Sequence, residues 1–292
     1  MSVGQDHHAP PNCWEGARSA PGWRSRLNAE LIYDVGVNDG ADTAFYLSRG
    51  YRVVGIEASP VMADFLRDQF AAEIDAGRFT LLNVGVAKTE GQLEFWLSDQ
   101  TEWSSFHREI ASRKGTPHRA VMIPTRPFAD IIAEYGVPFY CKIDIEGSDS
   151  LCLMGLTRGT APPYISIEMS HPGAGADLDL LLRLGYDKFK VISQRTRTQP
   201  TRLEAWLGYA LSPKWSKRLR LRIRERLGTH SIGNWRFASN SSGPFAEETP
   251  GRWRSFDATV RMWRFLRDLD IRYTEKGLGD WYDIHARQAQ AI

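Results

Sequence analysis

The stretch from Leu31 to Pro60, LIYDVGVNDGADTAFYLSRGYRVVGIEASP, constrains the fold more than any other part of the chain. Leu31 to Val35 is a short apolar run of β-forming residues, too short for a helix and closed by a glycine. Gly36-Val37-Asn38-Asp39-Gly40 is turn chemistry, in which glycine and Asn/Asp accept positive φ and let a ligand approach the backbone. Asp42 or Thr43 is placed to cap a helix that ends near Arg49-Gly50. Arg52 to Ile56 reads as a second strand with Glu57 at its carboxyl end. A βαβ unit with an acid about 20 residues beyond a glycine turn is a nucleotide-type site, the acid bonding ribose hydroxyls.

The turn also narrows which nucleotide fits. A dinucleotide fingerprint needs G-x-G-x-x-G, whose middle glycine lets the backbone meet a pyrophosphate. Here Val-Asn-Asp separates Gly36 from Gly40, which counts against a nicotinamide or flavin dinucleotide, and no G-x-x-x-x-G-K-[ST] phosphate loop occurs. Asp34 at the end of the first strand suits an ammonium group, and Glu57 suits a ribose diol. S-adenosyl-L-methionine carries both groups and no phosphate.

The rest of the chain continues the alternation. Val61 to Ala76 spaces Met62, Phe65, Leu66, Phe70 and Ile74 as one helical face, stopped by Gly77. Phe79 to Val86 reads as a third strand with Asn83 near its end. Gln92 to Leu97 reads as another, pairable with its predecessor as a hairpin through Thr89-Glu90-Gly91. Ser98 to Pro117 is a long polar loop containing Trp103 and Ser104, of the kind that forms lids or binding segments. Val121 to Thr125 predicts a strand, and Pro127 to Tyr135 a helix with proline in its first turn. Phe139 to Ile145, Tyr164 to Ile167 and Phe189 to Ile192 predict strands, separated by helices over Ser148 to Leu156 and Ala176 to Leu184. The fold class is α/β, a mostly parallel sheet with helices on both faces.

Composition excludes little. The 292 residues carry a net charge of +2, 42% hydrophobic and 25% charged residues, ordinary values for a globular protein. Cys13, Cys141 and Cys152 form neither a disulfide framework nor a metal-ligand pattern, which fits a reducing compartment. No apolar run approaches a membrane span and no signal-peptide segment is seen, so the expected location is cytoplasmic. Residues 1–27 read as a mobile polar tail, 28–194 as the catalytic unit, and 195–292 as a basic, Trp-containing extension packed on it. Within that extension, residues 214–227 form a basic stripe with Trp215, Leu219, Ile223 and Leu227 on one face. Such a stripe suits an anionic acceptor, an anionic membrane surface or nucleic acid, or equally a solvated helix whose apolar face covers the core. Arg-rich charge without aromatic platforms makes nucleic acid an unlikely partner. A second apolar stripe, Val260, Trp263 and Leu266, marks a helix over Asp257 to Leu269.

At the strand ends the residues resemble a known family. Asp34 to Gly40 with Glu57-Ala58-Ser59-Pro60 is similar to the first two motifs of class I methyltransferases. Lys142-Ile143-Asp144-Ile145-Glu146-Gly147, followed by Ile165-Ser166-Ile167-Glu168, resembles the FkbM family, with Asn83-Val84-Gly85-Val86 and Trp103-Ser104-Ser105 as weaker matches. Ser242 to Phe245 and Trp281 to Ala286 look like terminal features of some members. The resemblance implies a seven-stranded Rossmann-like sheet whose last strand is antiparallel. It also implies methyl transfer from S-adenosyl-L-methionine, usually to a hydroxyl oxygen of a sugar or natural product. The small-molecule or glycan acceptor is not legible. N-methylation and a non-catalytic cofactor-binding module are the alternatives.

Cofactor contacts are expected at Asp34, Gly36, Asn38, Gly40, Glu57, Ala58, Asn83, Ser104 and Asp144. Asp144, Glu168 and His171 are the candidates for removing the acceptor's proton, with His107 and His118 as weaker ones. Asp144 and Glu146 share a side if the strand runs through both. With Glu168 they could recruit a divalent cation through oxygen ligands. Helix capping or pairing with Lys142 is the favoured use of these acids, and no metal is assigned.

Overall fold

The protein was analysed as a computed structural model that describes residues 27–169, 174–203, 205, 206, 226, 228–273 and 281–289. The expected tail up to residue 26, His171, and all of the basic stripe 214–227 except Arg226 lie outside the described residues.

The first unit is β1 (Leu27–Val35), α1 (Ala41–Ser48) and β2 (Arg52–Ile56). Strand β1 begins four residues earlier than the apolar run predicts. Along it Leu31, Tyr33 and Val35 enter one core cluster and Ile32 the other, the period-two alternation of a strand buried on both faces. The expected helix over 61–76 is two, α2 (Pro60–Gln69) and α3 (Ala71–Asp75), broken at Phe70. Phe65, expected on the buried face, is 49% exposed.

Next come β3 (Phe79–Leu82), β4 (Gly85–Val86), β5 (Gly91–Ser98), α4 (Arg108–Ala111) and β6 (His118–Arg126). The third predicted strand divides at Asn83, and its second half leaves the main sheet. The expected hairpin between β4 and β5 does not form. Strand β6 lies between them, parallel to β4 and antiparallel to β5, in a separate three-stranded sheet. After α5 (Phe128–Tyr135), which Pro127 precedes rather than opens, follow β7 (Val137–Ile143), α6 (Asp149–Met154), β8 (Tyr164–Glu168), α7 (Ala174–Arg183) and β9 (Tyr186–Ser193). The C-terminal part adds a short hairpin of β10 (Ser231–Ile232) and β11 (Trp235–Arg236), then α8 (Phe256–Tyr273) and β12 (Tyr282–Gln288).

The main sheet has seven strands in the order β3-β2-β1-β7-β8-β12-β9. Strand β12 is antiparallel to both of its neighbours and the remaining pairings are parallel. This is the Rossmann-like α/β fold expected from the sequence. The division expected at residue 194 cuts through it, because a strand from the last ten described residues lies inside the sheet rather than on it. Helices α5 to α8 cover one face; α1, α2 and the aromatics Phe237 and Phe245 cover the other. Cys141 and Cys152 are free and buried. Among the described residues no helix is long and apolar enough to cross a membrane.

Candidate active site

In an open α/β sheet ligands bind beyond the carboxyl ends of the strands, where the strand order reverses. Here that place lies over the ends of β1, β2, β7 and β8. Gly36, at φ +86°, donates its N–H to the Ile56 carbonyl (2.9 Å), while Asp144 donates to the Val35 carbonyl (2.9 Å). A Cβ on Gly36 would stand 1.9 Å from the Asp144 carbonyl oxygen. The glycine is therefore required, because the turn passes hard against the end of β7.

Glu57 is held from both sides. Its carboxylate accepts the Asn38 N–H (2.9 Å) and the Ser59 N–H (2.8 Å), one on each oxygen. Burial raises its pKa from 4.5 to about 7, although those two N–H groups act in the opposite direction. Asn83 donates its side-chain amide to the Glu57 (2.8 Å) and Ala58 (3.3 Å) carbonyls, so it fixes the backbone beneath the carboxylate.

Behind the turn lies a buried ion cluster. The Lys142 ammonium stands 3.4 Å from Asp34, 3.3 Å from Asp42 and 3.9 Å from Asp144. Burial alone would lower the lysine's pKa, but these three carboxylates hold it well above its usual value. Asp34 is fully buried and also accepts from the Thr43 hydroxyl (2.7 Å). Asp42 accepts from the Ser241 hydroxyl (2.5 Å) and the Ser242 N–H (3.0 Å), tying the C-terminal loop to α1. Neither Asp42 nor Thr43 caps that helix; Gly40, in left-handed conformation, occupies the cap.

Three further carboxylates converge beyond Lys142. Asp144, Glu146 and Glu168 bring ligand oxygens within 4.8 Å of one another. They do so although β7 stops at Ile143, because Glu146 (φ 49°) and Gly147 (φ 93°) turn the chain back. Asp149 holds that turn by accepting the Ile145 and Gly147 N–H groups, both at 3.1 Å. Arg113 pairs with Glu146 at 3.0 Å. Burial raises the pKa of Asp144, with Lys142 opposing, and raises that of Glu168 well above the carboxylate range, with Asp144 and Glu146 adding to the shift.

These groups line two connected cavities that share Gly36, Asn38, Glu102, Asp144 and Glu146. The narrower, about 70 Å³, runs past Glu57, Ala58 and Ser104 between Ile56, Val84 and Phe106. The wider, about 360 Å³, is bounded by Trp103, Trp281, Gln100, Gln194, Asn240 and the acidic cluster. Carboxylates outnumber cations on its walls, where Lys142 and Arg113 face Asp39, Asp42, Glu102, Asp144, Glu146 and Glu168.

Of the residues predicted from sequence, Gly36, Asn38, Glu57, Ala58, Ser104, Asp144 and Glu168 meet along this cleft. Three do not reach it. Asp34, expected to meet a ligand's ammonium, meets the ammonium of Lys142 instead. A Cβ on Gly40 would strike the Phe70 ring at 2.5 Å, so that glycine serves helix packing rather than a ligand. Asn83 acts through the backbone of residues 57 and 58. His118 packs on Trp96 and Arg108, and His107 faces Glu109; neither lines the two cavities. Sequence reasoning missed Asp42, Arg113, Gln194 and Asn240 as cleft residues, and no local pattern marks them.

A sequence model described as the methyltransferase FkbM domain matches residues 34–188. Among solved structures, the chain is similar to a methyltransferase FkbM from Methylobacillus flagellatus KT, at 21% identity and a TM-score of 0.41. The match covers 56% of this chain and 40% of that one. It is also similar to precorrin-6y C5,15-methyltransferase from Geobacter metallireducens GS-15 (10% identity, 90% and 82% of the two chains, TM-score 0.34). A third is a TehB-like SAM-dependent methyltransferase from Corynebacterium glutamicum (10% identity, 56% and 70%, TM-score 0.32). The chain thus spans well under half the length of the Methylobacillus protein. No curated protein sequence matches it.

Proposed function

The chain belongs to the FkbM family of methyltransferases, whose domain spans residues 34–188, and from that premise we propose that it methylates a hydroxyl oxygen of a carbohydrate or secondary metabolite, with S-adenosyl-L-methionine as donor. The observation that carries this reading is the meeting of two unlike cavities at Gly36, Asn38 and Asp144.

The narrow cavity fits the nucleoside end of the donor. Each oxygen of Glu57 receives only one N–H, so lone pairs remain for a ribose diol, and Ile56, Val84 and Phe106 offer apolar walls for a base. With Asp34 engaged by Lys142, Asp144, which lines both cavities beside Gly36 at the end of β7, serves the donor's cationic amino-acid end. The donor supplies a methyl group on a sulfonium; the acceptor oxygen forms the new O–C bond as the C–S bond breaks, and its electrons leave with sulfur as a thioether.

The wide cavity fits the acceptor. Trp103 and Trp281 contribute indole rings, and Gln100, Gln194 and Asn240 contribute amides, a combination suited to packing on and hydrogen-bonding to a polyhydroxylated ring. Its excess of carboxylates favours a neutral hydroxylated acceptor over an anionic one. Glu168, in this cavity alone, faces the acceptor side and takes the hydroxyl proton. Burial lifts its pKa, which makes its ionised form a stronger base than an exposed carboxylate.

The test is incubation of the purified chain with methyl-labelled S-adenosyl-L-methionine and separate panels of neutral glycans, glycosides and amines. Label in a base-stable methyl ether supports the reading. Label confined to the amines would replace it with N-methylation. Calorimetry with S-adenosylhomocysteine completes the test: Glu57→Ala should weaken binding, and failure of the wild-type protein to bind would remove the donor assignment.

A further inference from the structure

Among the described residues Glu168 has no counter-charge paired with it. It ends β8 at 9% exposure, and among the described residues no hydrogen bond or ion pair engages its carboxylate. Four acids act on it: Asp144, Glu146, Asp149 and Asp283. Asp283 stands opposite it across the β8–β12 pairing and is occupied by the Gln194 amide at 2.8 Å. The two cations that line the same cavity are already committed, Lys142 to Asp34 and Asp42, and Arg113 to Glu146. A carboxylate buried among like charges is costly unless a cation joins it.

The geometry points to what joins it: we propose that Asp144, Glu146 and Glu168 together bind one hard divalent cation, of the Mg²⁺, Mn²⁺ or Ca²⁺ class. Their ligand oxygens lie within 4.8 Å of one another. Metal–oxygen bonds of about 2.0–2.6 Å put oxygens on opposite sides of one ion roughly 4–5 Å apart, so the three fit a single coordination sphere. The donor set is entirely carboxylate, with neither sulfur nor imidazole, which selects hard cations over zinc or copper. The ligands come from supports of different rigidity. Glu168 ends a central strand; Asp144 and Glu146 ride on the turn that Asp149 locks through two backbone N–H groups. All three face the 360 Å³ cavity, which leaves room for the waters or ligand oxygens that such ions retain. Arg113, half-exposed on its side of Glu146, can release that carboxylate at small cost.

Occupancy of this cluster is measured on the protein alone, without donor or acceptor, so its failure leaves the methyl-transfer reading standing. The full chain, stripped with chelator and dialysed, is titrated with Mn²⁺ while the paramagnetic resonance of free aqueous Mn²⁺ is followed. The expected result is one Mn²⁺ per chain, displaced by excess Mg²⁺ or Ca²⁺. Loss of even an outer-shell partner costs a metal site about 10–100-fold in affinity, so Glu168→Gln should weaken binding at least tenfold. That variant removes an unpaired buried charge, so it should fold at least as well as wild type without metal. In thermal unfolding Mn²⁺ should raise the midpoint of the wild-type protein and not that of Glu168→Gln. Asp144→Asn provides the second variant, with the same expected loss. Absence of stoichiometric binding, or equal affinity in wild type and both variants, overturns the proposal.

Discussion

Replacing Lys142 with methionine tests whether the buried ion cluster, and not the glycine turn alone, supports the cleft. The lysine is 7% exposed and lies within 3.4 Å of Asp34 and Asp42, which are 0% and 4% exposed. Lys142→Met keeps most of the side-chain volume but leaves two carboxylates in the interior without a cation. Removing one partner of a buried ion pair costs about 3–5 kcal/mol, because the remaining charge is uncompensated. Asp42 keeps the Ser241 and Ser242 donors and Asp34 keeps Thr43, so the lower part of that range is expected. The loss should depend on pH with a definite sign. Burial already raises the Asp34 pKa from 3.8 to about 6 with Lys142 opposing, so without the ammonium it rises further. Its contribution to stability is then fully present below pH of about 4 and is lost as pH rises through the raised value. The deficit against wild type should therefore be larger at pH 8 than at pH 5. Urea unfolding at both pH values measures it. The Lys142→Met, Asp34→Asn double variant should recover part of the loss at pH 8. A deficit under about 1 kcal/mol, or one equal at the two pH values, would refute the reasoning.

Glu57→Gln should weaken S-adenosylhomocysteine binding, and it should also change the pH profile of stability. Burial raises the Glu57 pKa from 4.5 to about 7, so its stabilising contribution is present below pH 4.5 and disappears as pH passes 7. Over that interval wild type should lose about 3 kcal/mol relative to the variant; parallel urea midpoints would contradict the burial argument. Gly36→Ala should cost more than the roughly 1–2 kcal/mol of left-handed backbone strain alone, because its Cβ meets the Asp144 carbonyl. A urea midpoint within error of wild type would exclude that close approach. A chain ending at Asp280 lacks β12, which hydrogen-bonds to β8 and β9. It should show no cooperative unfolding by near-ultraviolet circular dichroism, and a wild-type transition would mean the strand is dispensable.

The legible part of the molecule is the part whose determinants are local. Strand β2 falls where its apolar run predicts, and Glu57 follows it, because alternation and turn residues act over a few positions. Partner choice is different. The turn at Thr89 to Gly91 favours a hairpin, yet β6, which begins only at His118, pairs with both β4 and β5. Strand β12 carried still less signal. It lies between two strands, so Asp283 (4% exposed) and His285 (2% exposed) are as buried as Ile284, and the binary pattern that marks a half-exposed strand is lost.

The candidate site divides along the same line. Sequence identifies carboxylates at strand ends, but a carboxylate's role depends on which cation reaches it, and that is fixed by the fold. Asp34 and Glu168 look alike as sequence, an acid closing an apolar strand. Lys142 comes from β7, which lies beside both β1 and β8, and its ammonium turns toward Asp34 and Asp42. That one side-chain direction makes Asp34 a buried structural anion and leaves Glu168 without a partner among the described residues. Charge balance across the sheet, rather than motif, thus separates the acid that supports the cleft from the acid left available to act in it.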